Sequence, residues 1–175
     1  MINMQNKVIS AVNSLISNDS ELLELDAHEQ SLSHRMGVYL EEAFKSEKLN
    51  IDCEYNKHLE RPKTINLRGL DPQSHNSCNC DACRAISRGD IEEILEKSFR
   101  PDIVIHMRGS DARNLIAIEV KKDNECPFDE EKLKALTTPL DQGGEYGYAL
   151  GAFIWFPQGV PRYKWFIAGI AHPDK

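Results

Sequence analysis

Two short apolar segments with charged ends constrain the fold of this 175-residue chain more than any other feature. Residues 103–105 are Ile-Val-Ile and residues 115–120 are Leu-Ile-Ala-Ile-Glu-Val, and β-branched side chains of this kind favour strands. A polar turn around Gly109-Ser110-Asp111 separates the two segments, which predicts that they pair as a β-hairpin. Asp102 precedes the first strand and Lys121 follows the second, so charged groups lie at the strand ends.

The charged side chains of this hairpin are predicted to lie close together. In an extended strand, residues i and i+2 project from the same face, so Glu119 and Lys121 lie side by side while Val120 points to the other layer. Asp102 lies on the neighbouring strand. Adjacent carboxylates repel unless a divalent cation lies between them, and hard oxygen ligands suit Mg²⁺ or Mn²⁺. The alternative interpretation is an ion pair at the sheet surface, which would contribute little.

A helix predicted over residues 26–46 adds another acidic candidate. At about 100° per residue, Glu29 falls inside the apolar stripe of this helix, whereas Glu41 and Glu42 point away from it. An inward carboxylate is costly unless it has a partner or a metal. The stripe consists of Leu25, Leu32, Met36, Leu40 and Ala43.

The remaining segments predict an α/β protein. Further helices are expected over residues 2–17, 90–99 and 129–138, and further strands over residues 50–57, 148–156 and 163–170. We therefore expect one domain over residues 1–175, in which the helices 26–46 and 129–138 flank a mixed central sheet of five strands. Residues 59–99 have no strand pattern and are interpreted as an insertion.

A cysteine cluster lies in this insertion. The chain has five cysteines and its start lacks a secretory pattern, so a disulfide framework is not expected. A structural Zn²⁺ site could use four ligands within nine residues, namely His75, Cys78, Cys80 and Cys83. Cys126 or Cys53 could replace His75. Reduced thiols without a metal and an iron–sulfur cluster are the other interpretations.

Charge and hydropathy limit the classes of partner. The net charge is −7, but residues 1–60 hold 5 basic and 11 acidic side chains, and residues 61–175 hold 16 and 17. The near-neutral second part makes strong nonspecific binding to nucleic acid doubtful and leaves a specific nucleic-acid contact open. No apolar run approaches the roughly 20 residues that span a bilayer, so we expect a cytoplasmic protein without a membrane partner.

These motifs resemble the PD-(D/E)XK nuclease superfamily. Asp102 of Pro-Asp, sixteen intervening residues and then Glu119-Val120-Lys121 are similar to its pattern, and the preceding helix carries Glu29. The similarity covers roughly residues 25–57 and 100–156 and extends to uncharacterised bacterial members. It is carried by the phrases Glu29-Gln-Ser-Leu-Ser-His34-Arg, Asp52-Cys-Glu-Tyr-Asn56, Arg100-Pro-Asp-Ile-Val-Ile-His106, Asn114-Leu-Ile-Ala-Ile-Glu-Val-Lys-Lys122 and Lys132-Leu-Lys-Ala-Leu-Thr137.

The resemblance implies a restriction-endonuclease-like fold and a metal-dependent nuclease, with DNA favoured over RNA as substrate. It implies Asp102, Glu119 and the Val120 carbonyl as ligands of Mg²⁺ or Mn²⁺, Lys121 as the residue that orients water, and Glu29 as an outer ligand. The insertion has no counterpart in the resemblance. The alternative function is a catalytically idle module of the same fold that binds nucleic acid or a protein through a zinc-stabilised insertion.

Two histidines and a group of aromatic residues also have functional interpretations. His34 lies opposite the apolar stripe of its helix and is expected at the surface, whereas His106 could flank the metal or cap its strand. Aromatic residues in the predicted strands favour core packing over base stacking. They are Tyr148, Phe153, Trp155, Phe156, Trp165 and Phe166.

Overall fold

The computed structural model of the chain describes residues 1–25, 27–58, 61–62, 73, 78–89 and 100–173. Its helices are α1 (Ile2–Asp19), α2 (Glu21–Glu24), α3 (Glu29–Phe44), α4 (Asp81–Arg88) and α5 (Pro127–Thr137). Its strands are β1 (Asn50–Cys53), β2 (Lys57–His58), β3 (Arg61–Pro62), β4 (Ile103–His106), β5 (Ile116–Lys121), β6 (Leu150–Trp155), β7 (Arg162–Ile167) and β8 (Ile170–Pro173).

The central sheet has six strands in the order β1-β4-β5-β6-β7-β8. The β5 and β6 strands are parallel and the other neighbours are antiparallel, so the predicted mixed sheet and α/β class are confirmed. The prediction of five strands is wrong, because residues 163–170 include a turn. Ala168 and Gly169 both have positive φ, at 50° and 76°, which suits a tight hairpin turn between β7 and β8.

The predicted hairpin of β4 and β5 is present, and its register defines the centre of the sheet. Ile103 lies opposite Ile118 in this antiparallel pair. On the other side of β4, Asp52 of β1 lies opposite Val104. The first strand and the two strands with the candidate carboxylates are therefore neighbours, as the sequence predicted.

One face of the sheet is covered by α3, with α1 packed behind it. The α3 side chains Leu32, Met36 and Leu40 are buried in one core with the alternate strand residues Ile103 and Ile118. The α1 helix adds its own apolar face, in which residues three or four apart lie on one side. That face consists of Val8, Ala11, Val12 and Leu15.

The start of α3 differs from the prediction. The helix begins at Glu29, where the side chain of the preceding His28 accepts a hydrogen bond from the Gln30 amide at 3.3 Å. Leu25 therefore lies outside the helix and is 78% exposed, although the sequence placed it in the apolar stripe. Glu29 occupies the first turn of α3, beside the end of the sheet.

The opposite face of the sheet is covered by α5, with α4 beside it. Leu133 and Leu136 of α5 are buried with Val104, Ala117 and Phe153, which alternate with the strand residues that face α3. The two helices predicted to flank the sheet therefore cover its two faces. The aromatic residues are core groups, as predicted, with Trp155 partly buried.

The predicted insertion is described only in part. It contains the β3 strand, which pairs with β2 in a two-stranded ribbon, and α4, neither of which the sequence predicted. The helix expected over residues 90–99 lies outside the described residues. Within the described ranges, no helix has the length and apolar character to cross a membrane.

Close packing between α5 and β6 depends on Gly151. A Cβ atom there would lie 2.9 Å from Phe166 Cβ and 3.1 Å from Thr137 Cγ2, so we expect Gly151→Ala to destabilise the fold by about 1–3 kcal/mol. In Gly37→Ala the new Cβ would meet a movable side chain, Cys53 Sγ at 3.1 Å, while alanine favours the helix. Urea unfolding should show a much smaller change for Gly37→Ala, and equal losses would contradict this packing argument.

Candidate functional site

The hairpin brings Asp102 and Glu119 to one end of the sheet. Extending the register of β4 and β5 by one residue places Asp102 opposite Glu119, and both residues alternate onto the face that α5 covers. The Val120 amide donates a hydrogen bond to Asp102 Oδ2 at 2.7 Å, which fixes this carboxylate against β5. The Val120 side chain points to the opposite core, as predicted, and the role of its carbonyl stays a prediction.

Lys121 and Glu29 join the same end of the sheet. Lys121 Nζ donates to Glu29 Oε2 at 3.0 Å, and the Lys122 amide donates to Glu29 Oε1 at 3.3 Å. The start of α3 is thereby attached to the end of β5. The structure thus brings together all four side chains that the sequence selected, although they come from three separate segments.

Two further charged residues of this site, Asp129 and Lys132, come from α5 and were not predicted. Lys132 Nζ lies 2.8 Å from Glu119 Oε2 and 2.6 Å from Asp129 Oδ1. Asp129 Oδ2 lies 3.3 Å from Lys121 Nζ. We call the six side chains the carboxylate cluster: Glu29, Asp102, Glu119, Lys121, Asp129 and Lys132.

Much of the carboxylate cluster is withdrawn from water. The side chains of Glu119, Asp129 and Lys132 are 1%, 5% and 9% exposed. Lys121 is 23% exposed and Glu29 is 37% exposed, so the cluster meets solvent at this edge. Water therefore reaches the cluster from the side of Lys121 and Glu29.

The two ammonium groups of the carboxylate cluster do not neutralise its four carboxylates. When all groups are ionised, its four carboxylates and two ammonium groups leave a charge of −2. Burial raises the pKa of Asp102 to about 6 and raises the pKa of Glu119 well above its usual range, with Lys132 only partly opposing both shifts. Asp102 and Glu119 therefore bind protons more readily than ordinary carboxylates do.

The lysines and Asp129 remain charged. Burial alone would lower the pKa of Lys132, but Glu119, Asp129 and Asp102 raise it above its usual range. Burial opposes a similar rise in the pKa of Lys121, which Asp129, Asp102 and Glu29 produce. For Asp129, burial would raise the pKa, but Lys132 and Lys121 lower it. Both ammonium groups are therefore fixed positive charges in this site.

Within the part of the chain that the structure describes, the buried oxygens Glu119 Oε1 and Asp129 Oδ2 lack hydrogen bonds, although Asp129 Oδ2 lies in the 3.3 Å ion pair with Lys121. Glu119 Oε1 is therefore the oxygen that needs an explanation. Buried polar atoms normally have partners, and an exception needs an explanation. Carboxylate oxygens of this kind suit a hard divalent cation, and the charge of −2 would be balanced by one such ion. The donor set therefore fits the Mg²⁺ or Mn²⁺ that the sequence suggested.

The sequence contains only a weak signal for Asp129 and Lys132. Their spacing of three residues is that of an ordinary surface ion pair on a helix, and Glu130-Glu131-Lys132 repeats the acid-x-lysine pattern of Glu119-Val120-Lys121 in a polar segment. The signal that could have found them is the buried face of α5, because Asp129 and Lys132 share it with Leu133 and Leu136.

A second cluster consists of four cysteines, Cys78, Cys80, Cys83 and Cys126. Their sulfur atoms all lie within 4.8 Å of one another, and all four cysteines are free of disulfides. Such a set could hold a structural metal such as Zn²⁺. His75, the fourth ligand selected from the sequence, lies outside the described residues, and Cys126 provides the fourth sulfur.

Cys53, the other alternative to His75, belongs to a different part of the fold. It lies on β1, where its thiol donates to the Ser33 carbonyl oxygen at 3.7 Å. His34 is exposed, as expected. His106 Nε2 lies 2.9 Å from Asp52 Oδ2, at the other end of β4 from Asp102, so His106 does not flank the carboxylate cluster.

Comparison with known proteins gives no relative for this chain, because no family model, no curated protein and no solved structure matches it. Functional inference therefore depends on the two side-chain clusters themselves.

The buried carboxyl of Asp102 should give the metal-free protein a measurable pH dependence. Because its pKa is raised to about 6 on folding, its contribution to stability is lost as the pH rises from about 4 to 6. Asp102→Asn removes this titration and keeps an oxygen that can accept the Val120 amide. We expect this variant to exceed the wild type in stability by about 3 kcal/mol at pH 7 and to match it near pH 4.

Urea unfolding without divalent metal at both pH values measures this difference. Asp141→Asn is the control, because Asp141 is exposed and lies outside the carboxylate cluster. A stability difference for Asp102→Asn that stays constant between pH 4 and pH 7 would contradict the assignment of the shifted group to Asp102.

Proposed function

We propose that this protein is a Mg²⁺- or Mn²⁺-dependent nuclease with a restriction-endonuclease-like fold, and that it hydrolyses phosphodiesters, with DNA favoured over RNA. The observation that carries this proposal is the convergence of Asp102, Glu119 and Lys121 at one sheet end, where Glu119 Oε1 accepts no hydrogen bond from any residue in the described ranges. The mixed sheet between two helix layers supports the proposal, because the resemblance to PD-(D/E)XK nucleases implies an α/β architecture of this general kind.

Asp102 and Glu119 are the residues that would hold the divalent metal. Asp129 is held nearby by its ion pairs with Lys132 and Lys121 and adds a further negative charge to the site. When bound, the metal would lower the pKa of a coordinated water and neutralise charge on the phosphate. The Asp102 carboxylate keeps its orientation through the Val120 amide, so one end of the ligand set is fixed before the metal binds.

Lys121 has the position expected of a residue that orients the nucleophile. Its ammonium group is fixed between Glu29 and Asp129, at 3.0 and 3.3 Å, and its side chain reaches the exposed edge of the cluster. From there it can donate a hydrogen bond to the attacking water or to a phosphate oxygen. Glu29 contributes by holding Lys121 and the end of β5 in place.

Lys132 has a different role in the proposed mechanism. Its ammonium group lies between Glu119 and Asp129 and is buried, so it keeps these carboxylates together when no divalent ion is bound. It also reduces the repulsion that Asp102 and Glu119 would otherwise exert on each other. We infer that Lys132 organises the ligand set, whereas Lys121 acts on the substrate.

Lys121→Ala tests the enzymatic proposal most directly. We expect it to reduce cleavage by at least about 100-fold, as loss of an electrostatic stabiliser of the transition state does. Cleavage of single- and double-stranded DNA and RNA with Mn²⁺ measures the effect, and circular dichroism checks the fold. Lys134→Ala is the control, because Lys134 pairs with Glu131 at the surface of the same helix that carries Lys132.

The alternative proposal, a catalytically idle binding module, predicts binding without cleavage. Wild-type protein that binds one of the four nucleic acids in a salt-dependent way, without cleavage and without any effect of Glu119→Gln, would favour it. Wild-type protein that neither cleaves nor binds any of them would contradict the nuclease proposal and the nucleic-acid-binding form of the alternative.

A further inference from the structure

We propose that the four-cysteine cluster is a zinc clamp on the start of α5, and that Zn²⁺ bound there positions Asp129 and Lys132 and so sets the affinity of the carboxylate cluster for Mn²⁺ or Mg²⁺. Cys126 is then a positioning residue of the site. The part of this inference that concerns Mn²⁺ and Mg²⁺ rests on the proposed function, whereas the clamp itself rests on the geometry of the four cysteines.

The sulfur geometry fits a single tetrahedral ion. Cys126 Sγ lies 3.5 Å from Cys78 Sγ, 3.6 Å from Cys80 Sγ and 3.9 Å from Cys83 Sγ. A tetrahedron with Zn–S bonds of about 2.3 Å has S···S edges of about 3.8 Å. An iron–sulfur cluster needs several irons and sulfides between its thiolates, for which these separations leave no room. The four sulfurs therefore match one zinc ion.

The four ligands join parts of the chain that are far apart in sequence. Cys126 is 43 to 48 residues from the other three cysteines. Cys80 is the N-cap of α4, where its sulfur accepts a hydrogen bond from the Cys83 amide at 3.4 Å. Cys126 is the residue immediately before α5. One metal ion at this point would therefore link the starts of α4 and α5.

The start of α5 is tied to the cysteines at more than one atom. Cys126 makes no side-chain capping hydrogen bond to the helix. Instead, the Phe128 amide donates a hydrogen bond to the Cys83 sulfur, and the Cys126 thiol contacts the Asp129 carboxylate. Anionic thiolates on zinc would also interact favourably with the positive end of the α5 dipole. Metal binding at the cysteines therefore acts directly on the first turn of α5.

The first two turns of α5 carry the charged residues that complete the carboxylate cluster. Asp129 is three residues after Cys126 and contacts Lys121, and Lys132 follows three residues later and contacts Glu119. The Lys164 side chain also holds this region through Glu125 and Glu130, each at 2.6 Å. Those ion pairs lie at or near the surface and are weaker constraints than zinc–thiolate bonds. Loss of zinc is therefore expected to release Asp129 and Lys132 from their positions.

The experiment compares purified wild-type protein with Cys80→Ser and Cys126→Ser. Serine is a better helix N-cap than cysteine, so loosening of α5 in Cys126→Ser cannot come from a lost cap. Cys126→His restores a zinc ligand, and Cys53→Ser is the control for removal of a cysteine outside the cluster. Each protein is measured for zinc content, for hydrogen exchange over residues 127–137 and for Mn²⁺ affinity.

We expect about one zinc per chain in wild type, Cys53→Ser and Cys126→His. The two cluster serine variants should lose the zinc, exchange faster over residues 127–137 and bind Mn²⁺ about tenfold more weakly, as expected when the support of a metal ligand is lost. Treating wild type with a zinc-selective chelator in excess Mg²⁺ should reproduce the faster exchange, which covers the case in which a variant fails to fold.

Wild-type protein without zinc would overturn the clamp, as would zinc loss that changes neither exchange over residues 127–137 nor Mn²⁺ affinity. In the second case, persistent cleavage would leave the proposed nuclease function intact. Conversely, faster exchange on zinc loss in a protein that neither binds Mn²⁺ nor cleaves nucleic acid would support the clamp on α5 and overturn the nuclease proposal.

Discussion

The carboxylate cluster is held together by two buried ion pairs, which the ammonium group of Lys132 makes with Glu119 and Asp129. Acidic side chains brought together away from water repel each other, and burial penalises each charge. Removing one partner of such a buried pair typically costs about 3–5 kcal/mol. Lys132 thus allows β5 and α5 to approach closely, although it leaves the cluster short of positive charge.

The missing positive charge in the carboxylate cluster connects the fold to the proposed chemistry. A hairpin register places Asp102 beside Glu119, the start of α3 supplies Glu29, and the start of α5 supplies Asp129, so three layers of the fold meet at one sheet end. Protons or a divalent cation can supply the missing charge, and only a cation can also activate water for attack on a phosphate. The four cysteines at the start of α5 lie where they can control how well this arrangement is held.

Local patterns predicted those features that depend on neighbouring residues. Strand alternation and the hairpin turn placed Glu119 and Lys121 on one face beside Asp102. Helical phase selected Glu29, which contacts Lys121 but is 37% exposed, and the helix begins later than expected and leaves Leu25 exposed. Asp129 and Lys132 could not be distinguished from a surface ion pair, because their burial depends on how α5 packs against β5 and β6. The sequence left both Cys126 and Cys53 open as further ligands, and the choice of Cys126 likewise depends on contacts across more than 40 residues.

Titration of the protein with Mn²⁺, followed by electron paramagnetic resonance, shows whether the carboxylate cluster holds one divalent cation. We predict one bound Mn²⁺ per chain, lost in Glu119→Gln and retained in Glu131→Gln, because Glu131 pairs only with Lys134 among the described ion pairs and lies outside the cluster. Absence of bound Mn²⁺ in the wild type, or binding that Glu119→Gln leaves unchanged, would contradict the account.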